Sequence, residues 1–320
     1  MRQKPHELQY LEVLHQRNGL TYKEEKEYHK QLKGYLGEKK IDDWCDKHLS
    51  KEIHSMADIT IGKENRETQI DKLIAGDFVL YHIEIKNYEG HYCFRNNQWT
   101  INGKILANNL IEQSRRSVRM TQQFLNEAAV NLKVVGIIMF VNNNVNIEII
   151  DDVSEVILTY DKICPWLAGI VPFDAGDWQA ALQNYKITKR YNKYITTPKR
   201  FANLTKGIRC PNCNSFKEKE KSRSNLICPN CGYVEPKIIA NTRTICEYGL
   251  IMHHLPLKKK GIKELMGADF NSRYVTKVLH QCFQLIPNKK VYKNKGICFE
   301  NWFYEQLELF RKMYRRRYWK

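Results

Sequence analysis

Polar and apolar residues alternate from Tyr81 to Lys86: Tyr81, Ile83 and Ile85 point one way, His82, Glu84 and Lys86 the other. That period of two predicts a strand with one apolar and one charged face. Residues 134–141 are almost unbroken Val, Ile, Met and Phe, the pattern of a strand buried on both faces. Residues 146–150 and 155–159 predict two shorter strands, and residues 99–104 a short strand or turn. Elsewhere the period is helical. Residues 6–32 set Leu8, Leu11, Leu14, Tyr28 and Leu32 at helical intervals, and a second helix is predicted from near Gly37, with Glu38, Ile41, Cys45 and Leu49 on one stripe. Residues 108–129 predict a long helix whose apolar positions include Leu110, Val118, Phe124 and Leu125 and whose polar ones include Gln113, Arg115, Arg116 and Arg119. Helix, hairpin, helix and buried strand, in that order, predict an α/β core of mixed sheet flanked by helices.

Charge divides the 320-residue chain. Residues 1–185 hold 22 Lys and Arg against 26 Asp and Glu, whereas residues 186–320 hold 30 against 9. A near-neutral first part joined to a strongly basic second part points to a core tethered to a polyanion-binding module, although lysines that only aid solubility give the same count. No segment approaches the roughly 18 apolar residues that span a bilayer, and the first residues lack the apolar stretch of a signal peptide. Four of the ten cysteines form two tight pairs and the other six are scattered, which fits reduced thiols plus a metal site in a cytoplasmic protein.

The candidate chemistry gathers on the alternating strand. Asp71 precedes Glu84 by 13 positions, and a hairpin turn at residues 75–77 brings it back beside Glu84 and Lys86. Two carboxylates hold a divalent cation through hard oxygen ligands, and an adjacent lysine steadies developing negative charge. That set suits phosphodiester hydrolysis. Read alone, Glu84 and Lys86 are equally a solvated pair on an exposed strand face, and Glu38 equally a glutamate favouring its helix dipole.

Five separated motifs stand in one order: Gly34-Tyr-Leu-Gly37-Glu38, Gln69-Ile-Asp71, Glu84-Ile-Lys86-Asn-Tyr-Glu-Gly90, Trp99, and Asn109 with Gln113 and Arg116. Over residues 30–160 this series resembles the nuclease-related domain (NERD) family of the PD-(D/E)xK nuclease superfamily. The resemblance implies a restriction-endonuclease-like α/β fold. It implies Asp71 and Glu84 as ligands of Mg2+ or Mn2+, Lys86 as the residue that orients or helps deprotonate the attacking water, and Glu38 and Gln113 as completing the site. The family's helix usually opens Asn-Pro where Leu110 follows Asn109 here; a proline at a helix start mainly sets backbone geometry, so the chemistry is little affected.

Cys210-Pro-Asn-Cys213 and Cys228-Pro-Asn-Cys231 stand 14 residues apart, so two knuckles close one tetrahedral four-thiolate site. Such a site predicts a structural Zn2+ in a small zinc ribbon, because four thiolates leave no open position for catalysis. Beyond it, helices at residues 244–255 and 262–266, a third capped by Ser272 and carrying Val275, Val278, Leu279 and Cys282, and a hairpin at residues 289–299 outline a winged-helix-like α+β module. Arg273, Thr276, Lys277 and His280 make a candidate major-groove set, and Lys289, Lys290, Lys293 and Lys295 are placed for phosphates. An ordinary helical subdomain with a lysine-rich face has the same outline. The tail from Arg311 interleaves cations with aromatics, as nucleic-acid contacts do.

The expected organisation is an N-terminal helical extension (1–32), the nuclease-related domain (33–160), a connecting helix and linker (161–206), the zinc ribbon (207–238) and the basic module and tail (239–320). The favoured reading is a metal-dependent nuclease acting on nucleic acid, DNA before RNA, with no membrane partner. A homodimer is expected if both strands of a duplex are cut. The competing readings are a nuclease-fold protein that binds nucleic acid without cutting it, and one whose ribbon and tail dock a protein partner.

Overall fold

The computed structural model describes residues 2–64, 66–187, 194–267 and 272–307. The chain divides into two compact units, one of residues 1–2 and 30–190, the other of residues 3–29 and 191–320. The helical run expected over 6–32 breaks in two: α1 (His6–Gln16) and α2 (Tyr22–His48). Asn18 takes a left-handed φ of 54° at the break. Thr21 and Glu24 then form a reciprocal cap, with the Thr21 N–H donating to Glu24 Oε2 at 2.9 Å and the Glu24 N–H to Thr21 Oγ1 at 3.4 Å. So α2 runs through the start expected near Gly37, and the border expected at 32/33 falls inside it.

In the first unit, β1 (Ser55–Lys63), β2 (Arg66–Gly76) and β3 (Val79–Lys86) are followed by β4 (Gly90–Arg95), β5 (Gln98–Ile101), β6 (Lys104–Ile105) and α3 (Leu110–Glu127). Then come β7 (Lys133–Phe140), β8 (Val145–Ile149), β9 (Val156–Leu158), α4 (Tyr160–Gly169) and α5 (Trp178–Gln183). One sheet has the order β1-β2-β3-β7-β9 and the other β6-β5-β4-β8. Strands β1, β2 and β3 pair antiparallel, while β3, β7 and β9 pair parallel, so the main sheet is mixed.

Both faces of this sheet are covered, which is why β7 reads as a continuous apolar run. On one face Ile74, Ile83, Ile85, Ile137 and Met139 pack against Ile41 and Cys45 of α2 and Ile163 and Leu167 of α4. On the other, Leu73, Leu80 and Val134 meet Phe124 and Leu125 of α3 and Trp178 and Leu182 of α5. Helices α4 and α5, in the stretch expected to connect domains, therefore contribute to this core. Trp166 meets Tyr81 edge-on at 5.0 Å. A third cluster, including Tyr92, Phe94, Trp99, Ile111 and Phe140, joins the two sheets.

The second unit contains α1 with α6 (Pro198–Asn203), β10 (Lys219–Glu220), β11 (Asn225–Ile227), β12 (Val234–Pro236), α7 (Lys237–Ile251), α8 (Lys259–Met266), α9 (Ser272–Cys282) and α10 (Phe299–Glu305). Strands β10, β11 and β12 form the small antiparallel sheet of the ribbon. Helix α7 is buried almost all round, as a central helix must be. Its Glu247 receives Arg17 and Arg209, and its Arg243 grips Glu235 of the ribbon at 2.6 and 2.7 Å. Burial alone would raise the Glu247 carboxyl, but the guanidiniums of Arg17, Arg209 and Arg243 hold it below its ordinary value.

Three helices appear as expected after the ribbon, the first longer at its start. In place of a hairpin over 289–299, a short antiparallel turn closes between Gln284 and Lys293, with isolated bridges from Tyr292 to Leu285 and Leu257, and the chain then runs irregularly to α10. Asn294 donates its amide to the carbonyls of Gly249, Met252 and Leu255 at 2.8–3.0 Å and ties the segment to the end of α7. The tail from Arg311 and the side chain of Ser272 lie outside the described residues. Among the described residues no helix is long and apolar enough to cross a membrane.

The two motif glycines of α2 differ in role. A Cβ on Gly37 would meet Asn87 Cβ at 2.7 Å and Val141 Cγ2 at 3.1 Å, whereas one on Gly34 meets nothing within 4 Å. Gly37→Ala is expected to destabilise the fold by about 1–3 kcal/mol through overpacking. Gly34→Ala is expected to stabilise it by roughly 0.5–1 kcal/mol through backbone entropy. Denaturant unfolding of the two variants checks the opposite signs.

Candidate active site and metal centre

The ladder between β2 and β3 ends at Lys72 opposite Ile83. One step further Asp71 comes to Glu84, and there the Asp71 side chain takes over from the backbone: its Oδ2 accepts the Ile85 N–H at 2.8 Å. Glu84 is 4 % exposed, which removes the reading of a solvated surface pair. Its Oε1 accepts from Lys86 Nζ at 2.6 Å and from the Gln113 side-chain amide at 2.7 Å. Asn109 caps α3 through the N–H groups of Ile111 and Glu112, so Gln113 enters one turn into that helix.

Glu38 approaches from α2 and lies within electrostatic reach of Asp71 and Glu84 without bonding to either. Burial pushes its carboxyl up to about 7, against the pull of Arg2. Asp71 is pushed up to about 8 by burial first, then by the charges of Glu84 and Glu38. The structure thus brings together Asp71, Glu84, Lys86 and Gln113, with Glu38 beside them and engaged by another partner.

That partner was not legible in the sequence. Arg2 donates to Glu38 Oε2 at 2.7 Å, to Asp42 Oδ2 at 2.8 Å and to the Asp71 carbonyl at 2.9 Å. Asp42 also accepts Lys72 Nζ at 2.7 Å, and Lys72 is buried. Two signals were available: Asp42 follows Glu38 by one helical turn, and Lys72 adjoins Asp71. Nothing in the sequence marked Arg2. His82 shares the strand face of Glu84 and is fully buried, with neither ring nitrogen hydrogen-bonded; burial lowers it to about 4 and keeps it neutral. Three further motif residues are structural: Tyr88 stacks on Tyr92 at 5.2 Å, Asn87 donates to the Lys33 carbonyl, and Trp99 is in the core.

The donor set fits a hard divalent ion. Among the described residues no donor reaches Asp71 Oδ1 or Glu84 Oε2, so each carboxylate keeps one oxygen for a cation. Burial first and the crowding of negative charge second raise Asp71, and a bound cation would relieve the second.

The cysteine site is more compact. Cys210 and Cys231 Sγ are 3.6 Å apart, as are those of Cys213 and Cys228, and all four lie within 4.8 Å of one another. A tetrahedron with Zn–S bonds of about 2.3 Å has edges near ~3.8 Å. The two knuckles repeat one backbone pattern. Asn214 and Gly232, each with positive φ, donate back to the carbonyls of Cys210 and Cys228. Among the described residues no other set of three or more His, Cys, Asp or Glu side chains is arranged to hold one ion. Of the candidate nucleic-acid contacts, Arg273, Lys277, Lys289, Lys290, Lys293 and Lys295 are all exposed, and Lys295 pairs with Glu305. His253 is structural: its Nε2 meets the Tyr194 carbonyl and its ring packs on His6 and Tyr10.

Residues 33–141 match the family model described as the nuclease-related domain, the family that the five motifs resemble. The chain carries a nuclease-related domain. No curated protein and no solved structure matches the chain.

Two outcomes follow for the isolated protein. It is expected to bind one zinc ion, released on thiol modification and lost in Cys213→Ser with Cys228→Ser, as metal analysis reads directly. With no Mg2+ or Mn2+ added, Asp71 and Glu38 titrate near 8 and 7 when folded but near 3.8 and 4.5 when unfolded. Between those values the folded state binds more protons, so stability falls as pH rises through this window. Thermal unfolding of zinc-loaded protein from pH 5 to 8.5 should show that fall, and Asp71→Asn should flatten it.

Proposed function

We propose that the nuclease-related domain hydrolyses phosphodiester bonds of nucleic acid, DNA in the first instance, with Mg2+ or Mn2+ held by Asp71 and Glu84. The observation that carries this reading is the pair of carboxylates brought together by β2 and β3, each with one oxygen free of protein donors and with Lys86 alongside. A bound cation would neutralise phosphate charge and lower the pKa of a bound water. Lys86 Nζ is a second positive charge beside the reacting phosphate, where negative charge develops during attack. Gln113 fixes the rotamer of Glu84 by holding Oε1, and so aims Oε2. The Ile85 N–H does the same for Asp71.

In this reading the four-cysteine ribbon holds Zn2+ and the exposed cations from Arg273 to Lys295 hold nucleic-acid backbone. Cutting both strands of a duplex would call for two copies of the chain. A second reading has an observation of its own. Lys86 and Arg2, the protein's own cations, pair with Glu84 and Glu38, as in a nuclease fold kept for binding rather than cleavage.

Zinc-loaded protein incubated with labelled single-stranded, duplex and plasmid DNA and with RNA, with Mg2+ or Mn2+, separates the two. Cleavage should require the metal and fall about 100-fold or more in Asp71→Ala and Lys86→Ala. Salt-sensitive binding without cutting, equal in all three proteins, would favour the second reading.

A further inference from the structure

The charges buried around Asp71 do not balance in the way a metal site requires. Four carboxylates, Glu38, Asp42, Asp71 and Glu84, face three cations, Arg2, Lys72 and Lys86. Asp58 is also near, but it is exposed and solvated. Lys72 already satisfies one oxygen of Asp42 and Lys86 one oxygen of Glu84. With all four acids ionised and those two lysines in place, the set carries two negative charges, which a divalent ion would neutralise. Arg2 adds a third cation to the same ground. Its side chain is 2 % exposed, and Nε, Nη1 and Nη2 are all engaged, on Asp42, Glu38 and the Asp71 carbonyl. A guanidinium cannot shed its proton to make room. A divalent ion on Asp71 and Glu84 therefore meets a fixed positive charge bonded to the backbone of one of its ligands and to the neighbouring carboxylate.

We propose that Arg2 is an internal competitor for the divalent cation, an autoinhibitory contact that occupies the acidic cluster until metal loading displaces it from Glu38. The inference rests on the metal-site reading of Asp71 and Glu84. It assigns Arg2 a role that the nuclease-related motifs do not contain, since the residue lies outside the matched segment. The contact is made of ion pairs and hydrogen bonds, so exchange between a closed, metal-poor state and an open, metal-loaded one needs the Arg2 side chain to swing away. Release leaves Glu38 Oε2 free to join Asp71 and Glu84.

Mn2+ binding to zinc-loaded full-length protein, followed by the electron paramagnetic resonance signal of free Mn2+, tests this without recourse to activity. Arg2→Gln and Arg2→Ala should bind Mn2+ at least ten-fold more tightly than the wild type. Arg2→Lys, which keeps the charge, should stay close to the wild type. Affinity unchanged or weakened in both neutral variants, with binding still lost in Asp71→Asn, would overturn the competitor role and leave the metal site standing. Absence of Mn2+ binding in the wild type and in the neutral variants alike would overturn both.

Discussion

Two carboxylates forced together at the end of a strand pair set the terms for the rest of the first unit. Directly opposed residues on antiparallel strands have Cβ atoms about 5 Å apart. Two unit charges at that distance repel by roughly 3 kcal/mol at an effective dielectric of about 20. Asp71 and Glu84 stand one step beyond the last pair of that ladder, within electrostatic reach of one another and with Glu84 buried, and much of what surrounds them acts to relieve the repulsion. The Ile85 N–H serves Asp71, and Lys86 and Gln113 serve Glu84. Arg2 and Lys72 offset the acids of α2. Such an arrangement is costly for a protein that only needs to fold, because an apolar pair at those positions would pack without compensation. The cation site proposed for Asp71 and Glu84 would account for that cost.

The second unit answers a different constraint. A ribbon of three short strands has little core of its own, with Leu226 packing on Ile208 and Ala240. It is fastened instead by a buried ionic contact to α7, through Arg243 with Glu235 and Arg209 with Glu247, and its four cysteine sulfurs lie close enough together to share one ion. Breaking one partner of such a pair leaves an uncompensated buried charge, so ribbon and helical module stand or fall together.

Much of this was legible in the sequence, for identifiable reasons. The alternation over Tyr81–Lys86, the apolar run of β7 and the capped α3 are local patterns enforced by burial, and the chain obeys them. The cysteine knuckles are legible because metal geometry demands their spacing. The break between α1 and α2 was missed although Thr21-Tyr-Lys-Glu24 spells out its cap; the charged helical period on both sides concealed it. The hairpin expected around Asn294 closes a few residues earlier instead, and Asn294 binds three carbonyls some 40 residues earlier in the chain, a tertiary contact with no local trace. Arg2 and Lys72 are of the same kind. Their meaning comes from residues 30 to 70 positions away, and sequence spacing does not carry that information.

The measurement that reaches the central claim most directly is the anomalous scattering of a crystal of this protein soaked with Mn2+. The account predicts a peak within about 2.0–2.4 Å of carboxylate oxygens of both Asp71 and Glu84, with Gln113 still on Glu84 Oε1. A fully soaked crystal with no peak there, or with manganese only on surface carboxylates while the Asp71–Glu84 pair keeps its metal-free geometry, would contradict it.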